Sequence, residues 1–373
     1  TTSYRHWVDG ALAKAEKQAL LMARHLKDKE GKLPRSLNSN GELVTSSSDW
    51  WCSGFFPGVL WYLYENNKGS EELFDYANLY TKRIEKEKYN KGNHDVGFML
   101  YCSYGNGFRL NPTSESEGVL INGAHALSAR YNPVVKCIRS WNKWRDYSYP
   151  VIIDNMMNLE MLMWAYKRTG DDTFKNIAIS HANTTKLHHF REDYSSFHVV
   201  AYDLKSGKVL QRGTDQGYGD DSSWARGQAW ALYGYTMMYR ETGNEDYLNL
   251  AWHIADFILN HPHLPKDKIP YWDFDSPGIP DDYRDSSSAA IIASALLELS
   301  KYSEGHRCER YYTVAEQQLR MLASDEYMAE VGTNGFFILK HGVGNIPQNS
   351  ELDAPLSYGD YYFIEALLRY RNY

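Results

Sequence analysis

Apolar residues recur at helical spacing through most of the chain, as in Leu248–Leu259, LNLAWHIADFIL, and Ala289–Leu299, AAIIASALLEL. Between such runs a degenerate punctuation repeats: Tyr64-Glu-Asn-Asn-Lys-Gly69-Ser-Glu-Glu-Leu-Phe74, Tyr166-Lys-Arg-Thr-Gly170-Asp-Asp-Thr-Phe174 and Tyr239-Arg-Glu-Thr-Gly243-Asn-Glu-Asp-Tyr247. A looser copy is Tyr302-Ser-Glu-Gly305, followed by Tyr311-Tyr312. Each reads as a helix stopped by glycine at C′, then an acidic first turn and a new helix opened by an aromatic residue. The repeat unit is a helical hairpin. Further helices near residues 8–27, 56–65, 117–130 and 358–371, with the partner of each hairpin, bring the total to about twelve. Six hairpins predict an all-α (α/α)6 toroid, or barrel, in which inner helices alternate with outer ones and the loops at one end line a cleft. Strand-like material is sparse: His198-Val-Val-Ala-Tyr202 with Gly207-Lys-Val-Leu210 reads as a small β-hairpin on the rim. No Pro- or Ser-rich linker divides the chain, which is read as one domain over residues 1–373.

Composition narrows the function. The 30 Tyr, 11 Trp and 13 Phe make 14% aromatics, which suits a carbohydrate cleft and equally serves as filler between wide hairpins. A formal charge of −7 argues against nucleic acid or an anionic membrane as partner, since both want a basic face. An anionic substrate must then be drawn by local cations rather than by the overall field. Cys52, Cys102, Cys137 and Cys308 are scattered without a C-x-x-C pair, so neither a disulfide framework nor a thiolate metal site is expected. His188-His189 and His261-Pro-His263 lack a third ligand and read as surface or helix-end residues, and no cofactor loop is present, so the expectation is no metal and no cofactor. No apolar run approaches the ~18 residues of a membrane span. A start at Thr-Thr-Ser-Tyr fits a mature form whose export signal has been removed, giving the expectation of a periplasmic or secreted protein, with a cytoplasmic one as the alternative.

Candidate chemistry begins with Ser222-Ser-Trp-Ala-Arg-Gly-Gln-Ala-Trp-Ala-Leu-Tyr-Gly-Tyr235. Ser222 or Ser223 reads as the N-cap, and Arg226 and Trp230 share a helical face at i,i+4. A guanidinium beside an indole offers an acidic sugar a fork for its carboxylate and a platform for its ring; the plainer reading is a packed Trp covered by Arg. Asp154, between Tyr-Pro-Val-Ile-Ile and an apolar run, is expected to be desolvated and so able to keep a proton near neutrality. Asp95 opens a hydrophobic helix in the same way. Taken singly, each is as well read as an N-cap; as a pair facing one pore they become candidates for acid and base work. His198, in the rim hairpin, could orient water or a sugar hydroxyl. The acidic run Asp281-Asp-Tyr-Arg-Asp285 leads into an apolar helix as a cleft-lining cap would.

These residues together resemble the unsaturated glucuronyl hydrolases, glycoside hydrolase family 88. The likeness runs through Asp49-Trp-Trp with Gly54-Phe-Phe-Pro-Gly58, His94-Asp-Val-Gly-Phe98, Ile152-Ile-Asp154 with Asn158-Leu159, and Ser195-Ser-Phe-His198. It continues in Arg212-Gly-Thr with Gln216-Gly217, Trp224 to Trp230, Tyr271-Trp-Asp-Phe274, Tyr283-Arg-Asp-Ser-Ser287, and Gly359-Asp-Tyr-Tyr with Glu365-Ala-Leu-Leu-Arg369. Their order and spacing make the match specific. The family's fold is the (α/α)6 barrel. By this resemblance Asp154 is the principal acid/base and Asp95 the second catalytic carboxylate, while Trp51, His94, Trp141, His198, Gln216, Arg226 and Trp230 line the subsite of the unsaturated sugar. Trp144 competes with Trp141 for its place. Asp215 departs from the polar residue expected before Gln216, and Leu339-Lys-His-Gly-Val-Gly-Asn345, a segment of variable length, is expected to touch the next sugar.

The implied substrate is an oligosaccharide, such as a chondroitin, hyaluronan or heparin disaccharide, whose non-reducing end carries the 4,5-unsaturated uronic acid that a lyase leaves. The implied chemistry is hydration of its C4=C5 vinyl ether. The rival readings are an inverting glycosidase on saturated sugars, a polysaccharide lyase, and a carbohydrate-binding toroid without catalysis.

Overall fold

The computed structural model describes residues 6–373. Helices α1 (His6–Leu26), α2 (Phe55–Asn66), α3 (Glu71–Lys82), α4 (Val96–Leu100), α5 (Asn106–Leu110), α6 (Ser114–Ser128), α7 (Leu159–Thr169), α8 (Asp172–His188), α9 (Ala225–Thr242), α10 (Glu245–Asn260), α11 (Ser286–Lys301), α12 (Gly305–Leu322) and α13 (Ser357–Asn372) follow in order. A wide π turn, Tyr101–Gly105, joins α4 to α5 as one interrupted inner helix. Helices α2, α9, α11 and α13 are buried on nearly every face. The ring α2, α4–α5, α7, α9, α11, α13 closes where α13 packs on α2, and the amphipathic α1, α3, α6, α8, α10 and α12 lie outside it. This is the (α/α)6 barrel that the hairpin count predicts.

The stops are local. Gly170 and Gly243 occupy the left-handed C-cap at φ 75° and φ 68°, and the next helices open on Asp171 and Asn244 side-chain caps. Two expected stops differ. Asn67, not Gly69, caps α2, and Gly305 is the first residue of α12, with Tyr302 closing α11. The rim hairpin is present as β2 (Val199–Tyr202) paired with β3 (Val209–Gly213), and the short strand β1 (Pro150–Ile152), unforeseen, joins its other edge. Strand β1 delivers the chain into a 3-10 turn, Ile153–Asn158, at the head of α7.

Side-chain contacts show that the inner helices run parallel. At their N-terminal ends Arg226 lies over Tyr358 and 3.7 Å from Asp285, while Trp51 meets Tyr358. At their C-terminal ends Arg240, Glu298 and Arg369 form one cluster. Six parallel dipoles leave the first mouth electropositive and the second electronegative. The second mouth holds a cavity of about 760 Å³, into which Arg109, Arg240, Lys301 and Arg369 project as dipole-matching cations. Most of its charges are already paired: Glu298 takes Arg240 at 2.9 Å, and Glu365 accepts the Tyr62, Tyr233 and Ser294 hydroxyls. Burial opposes ionisation of Glu298, yet Arg240 and Arg369 hold its carboxyl at about 2. This network ties the helix ends together.

At the first mouth the Asp360 carboxylate accepts the Ile338 and Leu339 N–H groups at 2.9 and 2.8 Å, anchoring the chain that leads to the cleft loops. Burial pushes this carboxyl from 3.8 up to about 7, against those two donors. Across that window the folded state holds a proton the unfolded chain releases. The contribution is therefore full below the unfolded value and lost as pH rises through the folded one. Relative to Asp360→Asn, the unaltered protein should lose roughly 3 kcal/mol between about pH 5 and about pH 8 in urea unfolding. Equal pH dependence in the two proteins would refute it.

Candidate active site

The N-terminal ends of α4 and α7 bring the two predicted acids to the electropositive mouth. Asp95 occupies the N-cap position of α4, as the capping reading expects, but its side chain makes no capping hydrogen bond, and Asp154 sits within the 3-10 turn with its Oδ1 unpartnered. Asp154 is 6% exposed. Each acid faces an imidazole, with His94 Nε2 3.1 Å from Asp95 Oδ1, off the line of a hydrogen bond, and His198 Nε2 3.5 Å from Asp154 Oδ1.

Backbone hydrogen bonds fix the tautomer of His198. Its Nδ1 accepts the N–H groups of Asp215 and Gln216 at 3.0 and 3.4 Å, so the ring proton sits on Nε2 and faces Asp154. This explains why Asp215 is tolerated: its backbone, not its side chain, does the orienting. The His198 ring packs on Trp224 at 4.5 Å and meets the edge of Trp141 at 5.9 Å. Trp141 is half-buried beside His198, whereas Trp144 is buried and stacks on Tyr147, so the geometry places Trp141 at the site. Trp51 is half-buried against Phe98 and Tyr358, and half-buried Gln216 reaches Gly344 O at 3.5 Å.

Arg226 and Trp230 differ from the expectation. The expected fork and platform at the mouth are both inside the protein, at 1% and 0% exposure. Trp230 packs beneath Phe98 and Tyr362. Arg226 stacks on Trp224 and Tyr358, and it gives Nη1 to Val343 O at 2.6 Å and Nη2 to Gly344 O at 2.8 Å. The plainer packed reading describes the indole. The cap also differs: Trp224 occupies the N-cap position of α9, and the Ser222 hydroxyl serves Asp273 instead. Asp285 does cap α11, as the acidic run suggests, and its Oδ1 also accepts Val343 N. Among the histidines read as peripheral, His189 is a helix end but wholly buried, its charge disfavoured by that burial.

Asp154 Oδ1, His198 Nε2 and both nitrogens of His94 are buried without a protein partner, and such atoms are costly unless a further polar group meets them. Sequence reasoning passed over what aligns the two acids. Asn158 accepts Phe98 N at 2.8 Å and donates to Asn155 Oδ1 at 3.0 Å, and Asn155 donates to Ile138 O. Asn158 already stood in the matched motif, but an Asn at a helix start carries no sign of such a role.

An (α/α)6 barrel with two carboxylates set against imidazoles at its N-terminal mouth has the architecture of a glycoside hydrolase. No family model matches the chain. It is 48% identical over 343 residues to the unsaturated glucuronyl hydrolase of Formosa agariphila, an alignment spanning 91% of this chain and 84% of that one. It is 32% identical to the unsaturated chondroitin disaccharide hydrolase of Streptococcus pneumoniae, over 86% of this chain and 81% of that protein. The crystal structure of an unsaturated glucuronyl hydrolase specific for heparin superposes with a TM-score of 0.95 at 48% identity, covering 98% of this chain and 97% of the other. The chain belongs to the unsaturated glucuronyl hydrolases.

Proposed function

We propose that the protein removes the 4,5-unsaturated uronic acid from the non-reducing end of lyase-generated glycosaminoglycan oligosaccharides, with Asp154 as acid and then base. The observation that carries this assignment is a nearly buried carboxyl facing the Nε2–H of a histidine whose tautomer is fixed. The Asp154 carboxylic acid delivers its proton to C4, and C5 gains oxocarbenium character. The resulting carboxylate then takes a proton from water as the water oxygen bonds to C5. The hemiketal opens, releasing the shortened sugar and a keto acid. Asp95, beside His94, holds sugar hydroxyls. The helix N-termini favour the substrate's carboxylate at this mouth despite the net negative charge.

Heparin-type disaccharides head the candidate substrates, because the heparin-specific relative is 48% identical to this chain and the unsaturated chondroitin disaccharide hydrolase 32%. The test follows the ultraviolet band of the conjugated uronate across heparin, chondroitin and hyaluronan disaccharides. The band should disappear, fastest with a heparin disaccharide. A band that persists while saturated glycosides are cleaved would overturn hydration in favour of an inverting glycosidase.

A further inference from the structure

Ser140 lies wholly buried where three parts of the catalytic mouth meet. Strand β1 stands at the edge of its sheet, with β2 on one side only, and the backbone groups of its other side need partners. Ser140 alone supplies two of them: its N–H donates to Pro150 O at 2.9 Å, and its Oγ accepts Ile152 N at 2.9 Å. Asp154 follows two residues after that second bond. The Ser140 carbonyl accepts His94 N at 3.1 Å, next to Asp95, and the residue after Ser140 is Trp141, whose edge meets His198. The strand leading to the acid, the turn carrying His94 and the indole at the site are thus joined through one residue.

A buried cation backs this junction. Arg130 is 8% exposed, and among the described residues no carboxylate pairs with it. Its N–H groups go to neutral oxygens instead: Nε to Arg139 O at 2.8 Å, Nη1 to Lys91 O at 2.8 Å, and Nη2 to Ser140 O at 3.2 Å and Asn142 Oδ1 at 3.1 Å. Burial, with Arg139 close by, pulls its guanidinium down from 12.5 to about 10. A charge buried without a counter-ion opposes folding, and here it braces the residues on both sides of Trp141 against the segment that leads to His94.

We infer that Ser140 and Arg130 are positioning residues that set the gap between Asp154 and the wall of His94 and Trp141, an inference that rests on the hydrolase reading above. Ser140, at 0% exposure, offers no surface to a sugar, so its influence passes through what it holds. Its hydroxyl acts on the acid's side of the gap, through Ile152 N and the turn that follows. Arg130 acts on the other side, through Ser140 O, Asn142 and Lys91. Removing the first should disturb proton delivery, and loosening the second should disturb the hold on the ring.

The experiment follows the ultraviolet band of an unsaturated heparin disaccharide, with urea unfolding of each variant alongside. Ser140→Ala keeps both backbone bonds and removes only the acceptor of Ile152 N, so kcat should fall about tenfold while KM stays within about twofold. Arg130→Lys keeps the charge but cannot fork to several carbonyls, so KM should rise about tenfold with a smaller change in kcat. Either variant decides the matter if the other does not fold. Tyr80→Phe, which loses a buried hydrogen bond to Ala23 O between the outer helices, supplies the control: it should lower stability and leave both constants unchanged. Losses no greater than the folded fraction explains would make Ser140 and Arg130 parts of the scaffold only and overturn the inference. So would a Ser140→Ala protein that changes KM and keeps its kcat. If the unaltered protein leaves the band unchanged, the hydrolase reading falls, and the inference with it.

Discussion

Asp154→Asn is expected to remove turnover while leaving the disaccharide bound nearly as tightly as before. Asn has the shape of Asp and keeps its place beside His198, so the 3-10 turn should survive. What is lost is a transferable proton. Positioned proton transfer is worth about 10²–10⁴-fold in rate, and here both protonation at C4 and activation of water pass through the one carboxyl, so the loss should reach the top of that range. On the proposed reading Trp51 and Trp141, half-buried at the same mouth, still hold the ring, so binding should change little. Ultraviolet kinetics give the first quantity and calorimetry with the disaccharide the second. Retention of more than about a tenth of kcat would remove Asp154 from the acid/base role. Asp95→Asn should cost less, since on the proposed reading that residue acts on hydroxyls rather than on C4.

Much of the barrel was open to reading in the chain because its signals are local. Gly170 and Gly243 are stops by their own conformation, and the apolar runs of α10 and α11 declare helices without reference to neighbours. Gly69 misled for the same reason: the motif looks alike, but Asn67 meets the last carbonyls of α2 first. The places of the two acids were legible too, since each carboxyl stands at the start of an apolar run, and both come to the N-terminal mouth. The fate of Arg226 was not. Its i,i+4 partner Trp230 suggested a shared face toward the mouth. Which groups a buried guanidinium meets depends instead on a loop more than a hundred residues away in sequence, whose carbonyls Val343 O and Gly344 O compete better than any surface position. The tautomer of His198 is non-local in the same sense, being set by two backbone N–H groups across the rim.

The alignment of the two carboxylates hangs on one such non-local contact, and Gly97→Ala tests it. Gly97 lies two residues after Asp95 and presses on the turn that carries Asp154: a Cβ there would stand 2.3 Å from Asn158 Oδ1, 2.7 Å from its Cβ and 2.8 Å from its Cα. Rotating the Asn158 side chain cannot relieve a clash with its backbone, so α4 must move away from the 3-10 turn. The same movement stretches the 2.8 Å bond from Phe98 N to Asn158 Oδ1. Overpacking of this kind costs about 1–3 kcal/mol of stability. The loss in kcat should exceed what a smaller folded fraction explains, since a shift of about 1 Å between reacting groups costs on the order of 100-fold. Gly118→Ala supplies the control: a Cβ there meets nothing within 4 Å, it lies within α6, and alanine should raise stability by about 0.5–1 kcal/mol with kcat unchanged. Urea unfolding and single-turnover kinetics at a temperature where both variants are folded separate the two effects. If Gly97→Ala loses stability and keeps its turnover, the spacing of Asp95 and Asp154 is not what the Asn158 packing maintains.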